Sequence, residues 1–312
     1  MFIGILYSNA AKNKKEFSLF MVSFYLFFFL ISLILPSALE FMLGAGGIPL
    51  QTFPVKSVKI VSFGELLNLS LCMVPSTIFT SAGFVMFAVA VRKGPLSVAW
   101  GIMQAAIILP FLSGWLLFGD NINIVSIVGI LIIILALIFM VKGKQLNQNE
   151  DANTPVNRSK DFLFWAFAAF LLTGLGQVLS LLPNKFTVIF PSEMPLSNEV
   201  LTWRVPISAL CGFLMWFIIG AATRIKFSLN QIKNGFNYAA VVFWGHTVLY
   251  IAIDLLAKYN LSGLAYPLAM GCCIVLFSLF CRIVRSEKLH NWESAGLIVL
   301  TLGLFILAFA GI

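Results

Sequence analysis

Leu112-Ser113-Gly114-Trp115-Leu116-Leu117-Phe118-Gly119-Asp120, followed nine residues on by Gly129, is the stretch that decides the fold. It reads as the end of an apolar helix, a tight acidic turn and the start of another apolar helix. At an offset of 167 the pattern returns, with Asp120 falling on Glu287 and Gly129 on Gly296. At the same offset Leu96-Ser97-Val98-Ala99 falls on Gly263-Leu264-Ala265-Tyr266, and Ile107-Ile108-Leu109 on Ile274-Val275-Leu276. Self-similarity at a fixed offset is the mark of internal duplication. In a membrane chain, two similar halves imply a transporter with its solute site between them. Apolar segments match one another easily, so the weight rests on the acid-to-glycine spacing, which is nine residues in both copies.

Composition places the duplication in a bilayer. Apolar residues make up 60% of the chain and charged residues 10%, with a mean hydropathy of +1.00. A soluble domain carries about 25% charged residues. The 31 Phe residues suit lipid-facing helix surfaces. A net charge of +8 does not indicate nucleic acid, because the basic residues are scattered through short loops rather than clustered on a polar domain. Cys72, Cys211, Cys272, Cys273 and Cys281 lie in apolar segments with no metal-ligand spacing, so they read as small core residues and no metal is expected. Met1–Ala11 lacks the basic front of a cleaved signal peptide.

A spanning helix needs about 20 mostly apolar residues. Nine segments qualify: Phe17–Leu39, Glu65–Val91, Leu96–Phe118, Ile124–Val141, Phe162–Leu182, Val200–Ala222, Tyr238–Ala257, Gly263–Val284 and Trp292–Ile312. They are too long and too continuously apolar for barrel strands. Gly4-Ile5-Leu6-Tyr7-Ser8 resembles Gly176-Gln177-Val178-Leu179-Ser180, so residues 1–11 read as the last turns of a tenth helix. Either the start is misassigned or half a helix is lost. The polar run Lys142–Lys160 reads as a disordered linker. The expected fold is an all-α polytopic membrane protein of two inverted five-helix repeats, a ten-helix bundle with its first helix truncated. The repeats are residues 1–142 and 161–312, joined by a polar linker, residues 143–160. An odd number of helices per half makes the two halves enter the membrane from opposite sides.

Loop charges set the orientation. Loops on one side carry Lys12, Lys14, Lys15, Arg92, Lys93, Lys142, Lys144, Arg158, Lys160, Arg224, Lys226, Lys233, Arg282, Arg285 and Lys288, which is 15 of the 20 basic residues. That side is expected to be cytoplasmic, and the C-terminus to lie outside.

Gly94-Pro95-Leu96-Ser97-Val98-Ala99, then Leu112 to Asp120, then Gly129, resembles the repeat signature of the EamA branch of the drug/metabolite transporter superfamily. The second copy is similar in Ala265-Tyr266-Pro267, Ser286-Glu287-Lys288-Leu289 and Gly296. The resemblance covers nearly the whole chain. It departs from the family at Asp120, which replaces a Glu, at Cys281, which aligns with Gly114, and at the short first helix. It implies a carrier of small organic solutes such as metabolites or drugs, in the plasma (inner) membrane as a multi-pass protein. It also implies that the helices carrying Trp100, Gln104, Tyr266 and Pro267 line the cavity. The chain has no Walker-type glycine loop, so ATP-driven transport by the chain alone is not expected. No cofactor is expected either. The partners of this reading are a small-molecule solute, the lipid bilayer, protons as a candidate coupling ion and a second copy of the chain as a candidate homodimer.

The individual residues carry competing readings. Asp120 and Glu287 read better as caps of the following helix than as proton sites, and Gly129 and Gly296 as close-packing positions. His246, Tyr250 and Asp254 stand at i, i+4 and i+8 and share one helix face. Ionisable groups inside a membrane usually face a bundle interior or a wet cavity, so His246 and Tyr250 are candidates for solute contact, and His246 and Asp254 for proton coupling. The alternative for Asp254 is an interfacial residue beside Lys258. Arg204, next to Trp203, either attracts an anion or snorkels to the headgroups, and snorkelling is the favoured reading. Gln104 lies four residues after Trp100 and pairs an amide with an aromatic wall. Gln177 is a further candidate solute contact. Ser76, Thr77, Thr80 and Ser81 follow Pro75 and are expected to bond carbonyls freed by it. An intramembrane enzyme would need paired acid/base groups within helices, which His246 and His290 do not supply, so no catalytic residue is expected. The alternative to a transporter is a non-transporting membrane scaffold or receptor on the same fold.

Overall fold

The computed structural model of the protein describes residues 14–45, 57–93, 99, 102–151, 160–191, 194–223, 227–272, 275 and 291–310. Among these residues the structure is helical and contains no strand. The helices are α1 (Lys14–Ala45), α2 (Phe63–Lys93), α3 (Ile108–Leu116), α4 (Ile124–Asp151), α5 (Lys160–Leu181), α6 (Phe186–Ile189), α7 (Asn198–Leu201), α8 (Arg204–Thr223), α9 (Leu229–Ala257) and α10 (Asn291–Ala310). Single turns of 3-10 helix cover Ala105–Ile107, Leu182–Lys185 and Ser262–Leu264, and residues 265–272 are helical.

Six helices are long and apolar enough to cross a membrane: Phe17–Phe41, Phe63–Lys93, Ile124–Gly143, Asp161–Ile189, Arg204–Ala222 and Leu229–Ala257. They point to a membrane protein. Two more of the nine expected spans appear as the shorter apolar helices Ile102–Leu116 and Ser294–Leu307. The ninth, Gly263–Val284, is helical over 265–272 and otherwise lies almost wholly outside the described residues, as does the stub at 1–11. The outward positions of these helices are apolar. Leu131, Leu135 and Ile138 on α4 and Ile298, Leu302 and Phe305 on α10 are all exposed, a surface that lipid would solvate.

Local sequence sets the helix ends. Ser62 Oγ accepts from the Glu65 N–H at 3.3 Å and donates to Glu65 Oε2 at 2.9 Å, a reciprocal cap at the start of α2. Asn123 Oδ1 accepts from the Ser126 N–H at 2.8 Å and the Ser126 hydroxyl at 3.0 Å, which caps α4. The expected linker is helical as far as Asp151. Once α4 is nucleated, Lys142, Gln145, Leu146 and Gln148 are good propagators, and continuing the helix costs no new nucleus. Thr77 Oγ1 donates to the Met73 carbonyl at 2.9 Å, so it bonds its own preceding turn rather than the Leu71 carbonyl that Pro75 leaves free.

The chain forms two compact units, and each draws on both sequence halves. One contains Thr80–Val178 and Leu255–Ile312, the other Ile3–Phe79 and Leu179–Asp254. In the first, α4 and α10 pack antiparallel around Ile133, Leu300, Leu304 and Leu307. Lipid is as apolar as leucine, so close approach rather than escape from water must hold such helices together. Glycine provides it. A Cβ on Gly129 would meet Leu307 Cγ at 2.8 Å, and one on Gly296 would meet Met140 Cγ at 2.7 Å and the Ala136 carbonyl at 2.9 Å. At one end of this pair the Lys142 ammonium lies 4.0 Å above the Trp292 ring.

In the second unit α1, α8 and α9 interlock through aromatic rings. Phe17 meets Trp216 edge-on at 5.4 Å, Phe24 meets Tyr238 at 4.6 Å, and Phe24 stacks on Phe28 at 5.5 Å. The Tyr25 ring occupies the space that a side chain at Gly212 would need. Phe17, Phe20, Phe24 and Phe28 are therefore core residues rather than the lipid-facing ones the composition implied. The cysteines also divide: Cys72 is buried, Cys211 half-buried and Cys272 exposed.

Candidate solute cleft

The expected span Val200–Ala222 is broken. α7 ends at Leu201, Thr202 and Trp203 form a turn, and α8 starts at Arg204. Pro206 sits in the first turn of α8, where a missing N–H is tolerated, and cannot donate to the Thr202 carbonyl. The Trp203 indole N–H donates to the Lys59 carbonyl at 2.8 Å, which pins the turn. Ser197 Oγ accepts from the Val200 N–H at the start of α7.

From this fixed turn Arg204 points inward. Only 1% of its side chain is exposed, so the snorkelling expected from sequence does not occur. Its Nη1 donates to Asp254 Oδ1 at 2.7 Å, and its Nη2 donates to Asn184 Oδ1. Asn184 Nδ2 in turn donates to Asp254 Oδ1 at 2.8 Å. The three side chains close a hydrogen-bonded triangle, and the Tyr250 ring lies 5.4 Å from the guanidinium carbon. Arg204 Nε is buried and without a hydrogen-bond partner. Asp254 is the outward member, with 41% of its side chain exposed. It pairs with Arg204 across fifty residues of sequence.

Arg204, Tyr250 and Asp254 line a cleft that encloses about 750 Å³, counting its open mouth. Asn198, Thr202, Ser32 and Thr247 add polar groups to its wall, and Pro36, Val205, Pro206, Phe243 and Ile251 add apolar ones. Along α9 the lining stripe is thus Phe243, Thr247, Tyr250, Ile251 and Asp254. His246 is set one position aside from it. Its Nδ1 lies 3.1 Å from the Val242 carbonyl of its own helix, and its ring meets Phe28 at 5.4 Å and Tyr250 at 6.2 Å.

The other sequence candidates belong to the first unit. Gln104 is half-buried just before the turn Ala105–Ile107, Gln177 is half-buried on α5, and Tyr266 is buried at the start of the 265–272 helix. Trp100 and Glu287 lie outside the described residues. Asp120, expected to cap α4, instead reaches another helix start. Its Oδ2 accepts from the Gly263 N–H at 2.7 Å and from the Ser262 hydroxyl at 3.0 Å. Asn123 holds the cap position of α4, three residues nearer to the helix, and the Asp120 carboxylate turns instead to the Gly263 amide and the Ser262 hydroxyl. Gly119, at φ +66°, gives the reversal that lets the Asp120 N–H bond the Gly114 carbonyl at 2.8 Å.

Sequence reasoning missed Asn184. The signal was the polar pair Asn184-Lys185 after Pro183, ending an apolar run, but nothing in its spacing tied it to Arg204 or Asp254.

No family model matches the chain, and no curated protein does. A solved structure named only "Crystal structure of protein" is similar, with a TM-score of 0.57 and 12% identity over 98% of this chain and 94% of that one. At that identity the likeness concerns the fold alone. Fold and site together define the class: a membrane protein, helical over its described residues, carrying a partly buried charged network beside a polar cleft.

Proposed function

We propose that the protein is a secondary transporter of a small organic solute in the plasma (inner) membrane, built from two inverted five-helix repeats of the EamA-like kind and working by alternating access. The observation that carries this reading is the Arg204–Asp254–Asn184 triangle on the wall of an open cleft. Ionisable groups among apolar spans are costly and mark solute or ion pathways. The α4–α10 pair supports the repeat. A Cβ on Gly129 would meet Leu307 and the Gly303 carbonyl, and one on Gly296 would meet Met140 and the Ala136 carbonyl. Each contact maps onto the other at the offset of 167 that the sequence shows. Two antiparallel spans exchanged in this way are related by a two-fold axis perpendicular to both, which for spanning helices lies in the membrane plane.

The test is reconstitution. Proteoliposomes incubated with an isotopically labelled metabolite extract are expected to accumulate at least one solute saturably, above protein-free vesicles and above vesicles carrying the Arg204→Met/Asp254→Leu double variant. Folded, reconstituted protein that accumulates nothing would support the scaffold alternative and end this proposal.

A further inference from the structure

We infer that the cleft receives an organic ammonium, a protonated primary or secondary amine whose N–H groups meet Asp254 Oδ2 and the hydroxyl oxygens of the wall. The inference names the solute class of the proposed carrier and rests on that reading for its biological meaning. Its physical basis is the direction of the hydrogen bonds around the cleft. Among the described residues lining it, the charged ones are Arg204 and Asp254, and they are unequally available. The Arg204 side chain is 1% exposed and that of Asp254 41%. Arg204 Nη1 and the Asn184 amide both donate to Asp254 Oδ1, and Arg204 Nη2 is taken by Asn184. Both bonds to Asp254 end on Oδ1, and Oδ2 takes none from any described residue. A cation can therefore meet Oδ2 while the ion pair stays closed. An anion meets a carboxylate and finds the guanidinium covered.

The neutral groups of the wall point the same way. The Ser32 hydroxyl donates to the Phe29 carbonyl at 2.8 Å, the Thr202 hydroxyl to the Glu199 carbonyl at 2.6 Å and the Thr247 hydroxyl to the Phe243 carbonyl at 2.8 Å. A hydroxyl has one proton to give, so these three can only accept from a solute. Pro36 and Pro206, also on the wall, have no N–H and leave the Ser32 and Thr202 carbonyls without a helical donor. The side-chain donors left on the described lining are the Asn198 amide and the Tyr250 hydroxyl, and both groups also accept. A wall with acceptors in surplus suits a ligand with donors in surplus. A primary ammonium brings three N–H donors and no acceptor, and its bond to a carboxylate is roughly twice as strong as a neutral one. An alcohol on the same carbon frame brings one donor and no charge. Phe243, Val205 and Ile251 then face the carbon frame, the usual division of labour in small-molecule sites.

The experiment measures binding to purified intact protein in zwitterionic nanodiscs by equilibrium dialysis, with empty nanodiscs subtracted. The probes are matched sets on a phenethyl and on a butyl frame, each with a primary ammonium, a trimethylammonium, an alcohol and a carboxylate. In at least one set the primary ammonium is expected to bind saturably and about tenfold or more tightly than each of the other three. Asp254→Asn, checked for folding by size-exclusion chromatography, is expected to remove that advantage over the alcohol. The wild-type comparison decides the matter even where the variant does not fold. An alcohol or carboxylate that binds as tightly as the ammonium overturns the inference, and so does failure of both ammonium probes to bind. A trimethylammonium that binds equally well overturns it too, since charge without N–H donation would then suffice. Selective ammonium binding without uptake into proteoliposomes leaves this inference standing and removes the transport proposal instead. Saturable uptake of a solute that carries no amine, with no ammonium binding, does the reverse.

Discussion

Asp120 shows how far a single residue can be read from its neighbours. A carboxylate in a turn before a helix is a natural cap, and its spacing to Gly129 made that reading reasonable. The structure gives that cap to Asn123 and points Asp120, 5% exposed, at Ser262 and Gly263. No local signal distinguishes one helix start from another when both lie within reach. Asp120→Ala is expected to lower stability by about 2–3 kcal/mol, because it strands a buried amide and a hydroxyl. Asp120→Asn, which keeps an acceptor, is expected to lower it by less. Chemical denaturation in detergent measures both. Arg204 carries a parallel lesson. Its charge was visible, but its partner was fifty residues away and its second partner, Asn184, was not suspected. A double-mutant cycle of Arg204→Met and Asp254→Leu is expected to give a favourable coupling of about 1–3 kcal/mol, reduced from the fully buried case by the exposure of Asp254. Additive losses would mean that the pair contributes nothing as a pair.

At the scale of elements, the spans were legible because a run of about 20 apolar residues has few other solutions. What the runs did not reveal is where a helix breaks or continues. The break at Thr202–Trp203 was signalled only by Pro206, which is equally at home inside a kinked span. The continuation of α4 to Asp151 went against composition, since polar residues of good helix propensity look like linker until a neighbouring helix nucleates them. Glycine gives the sharpest element-scale prediction. Gly296→Leu is expected to force α4 and α10 apart, because the added side chain meets the Ala136 backbone carbonyl as well as Met140, and the thermal unfolding midpoint should fall. Gly245 sits in the middle of α9 with nothing within 4 Å of an added Cβ, so Gly245→Ala is expected to raise stability by about 0.5–1 kcal/mol through helix propensity alone. Equal losses at both positions would contradict the packing account.

For the whole molecule, the central claim is that one unit of sequence is used twice in opposite orientations. The offset of 167 was visible in the sequence, and the α4–α10 contacts repeat at the same offset, but the sequence did not reveal that each compact unit is assembled from pieces of both halves. Contacts between distant segments leave no periodic trace, whereas duplication does. The claim has one direct test. Arg92 and Tyr259 are both exposed and stand 167 residues apart, so in the proposed repeats they are equivalent positions. In a background with the native cysteines replaced, a single cysteine at Arg92 is expected to react with a membrane-impermeant maleimide only from the cytoplasmic side, and a single cysteine at Tyr259 only from the outer side. Labelling of both positions from the same side would contradict the inverted repeat, whatever the protein carries.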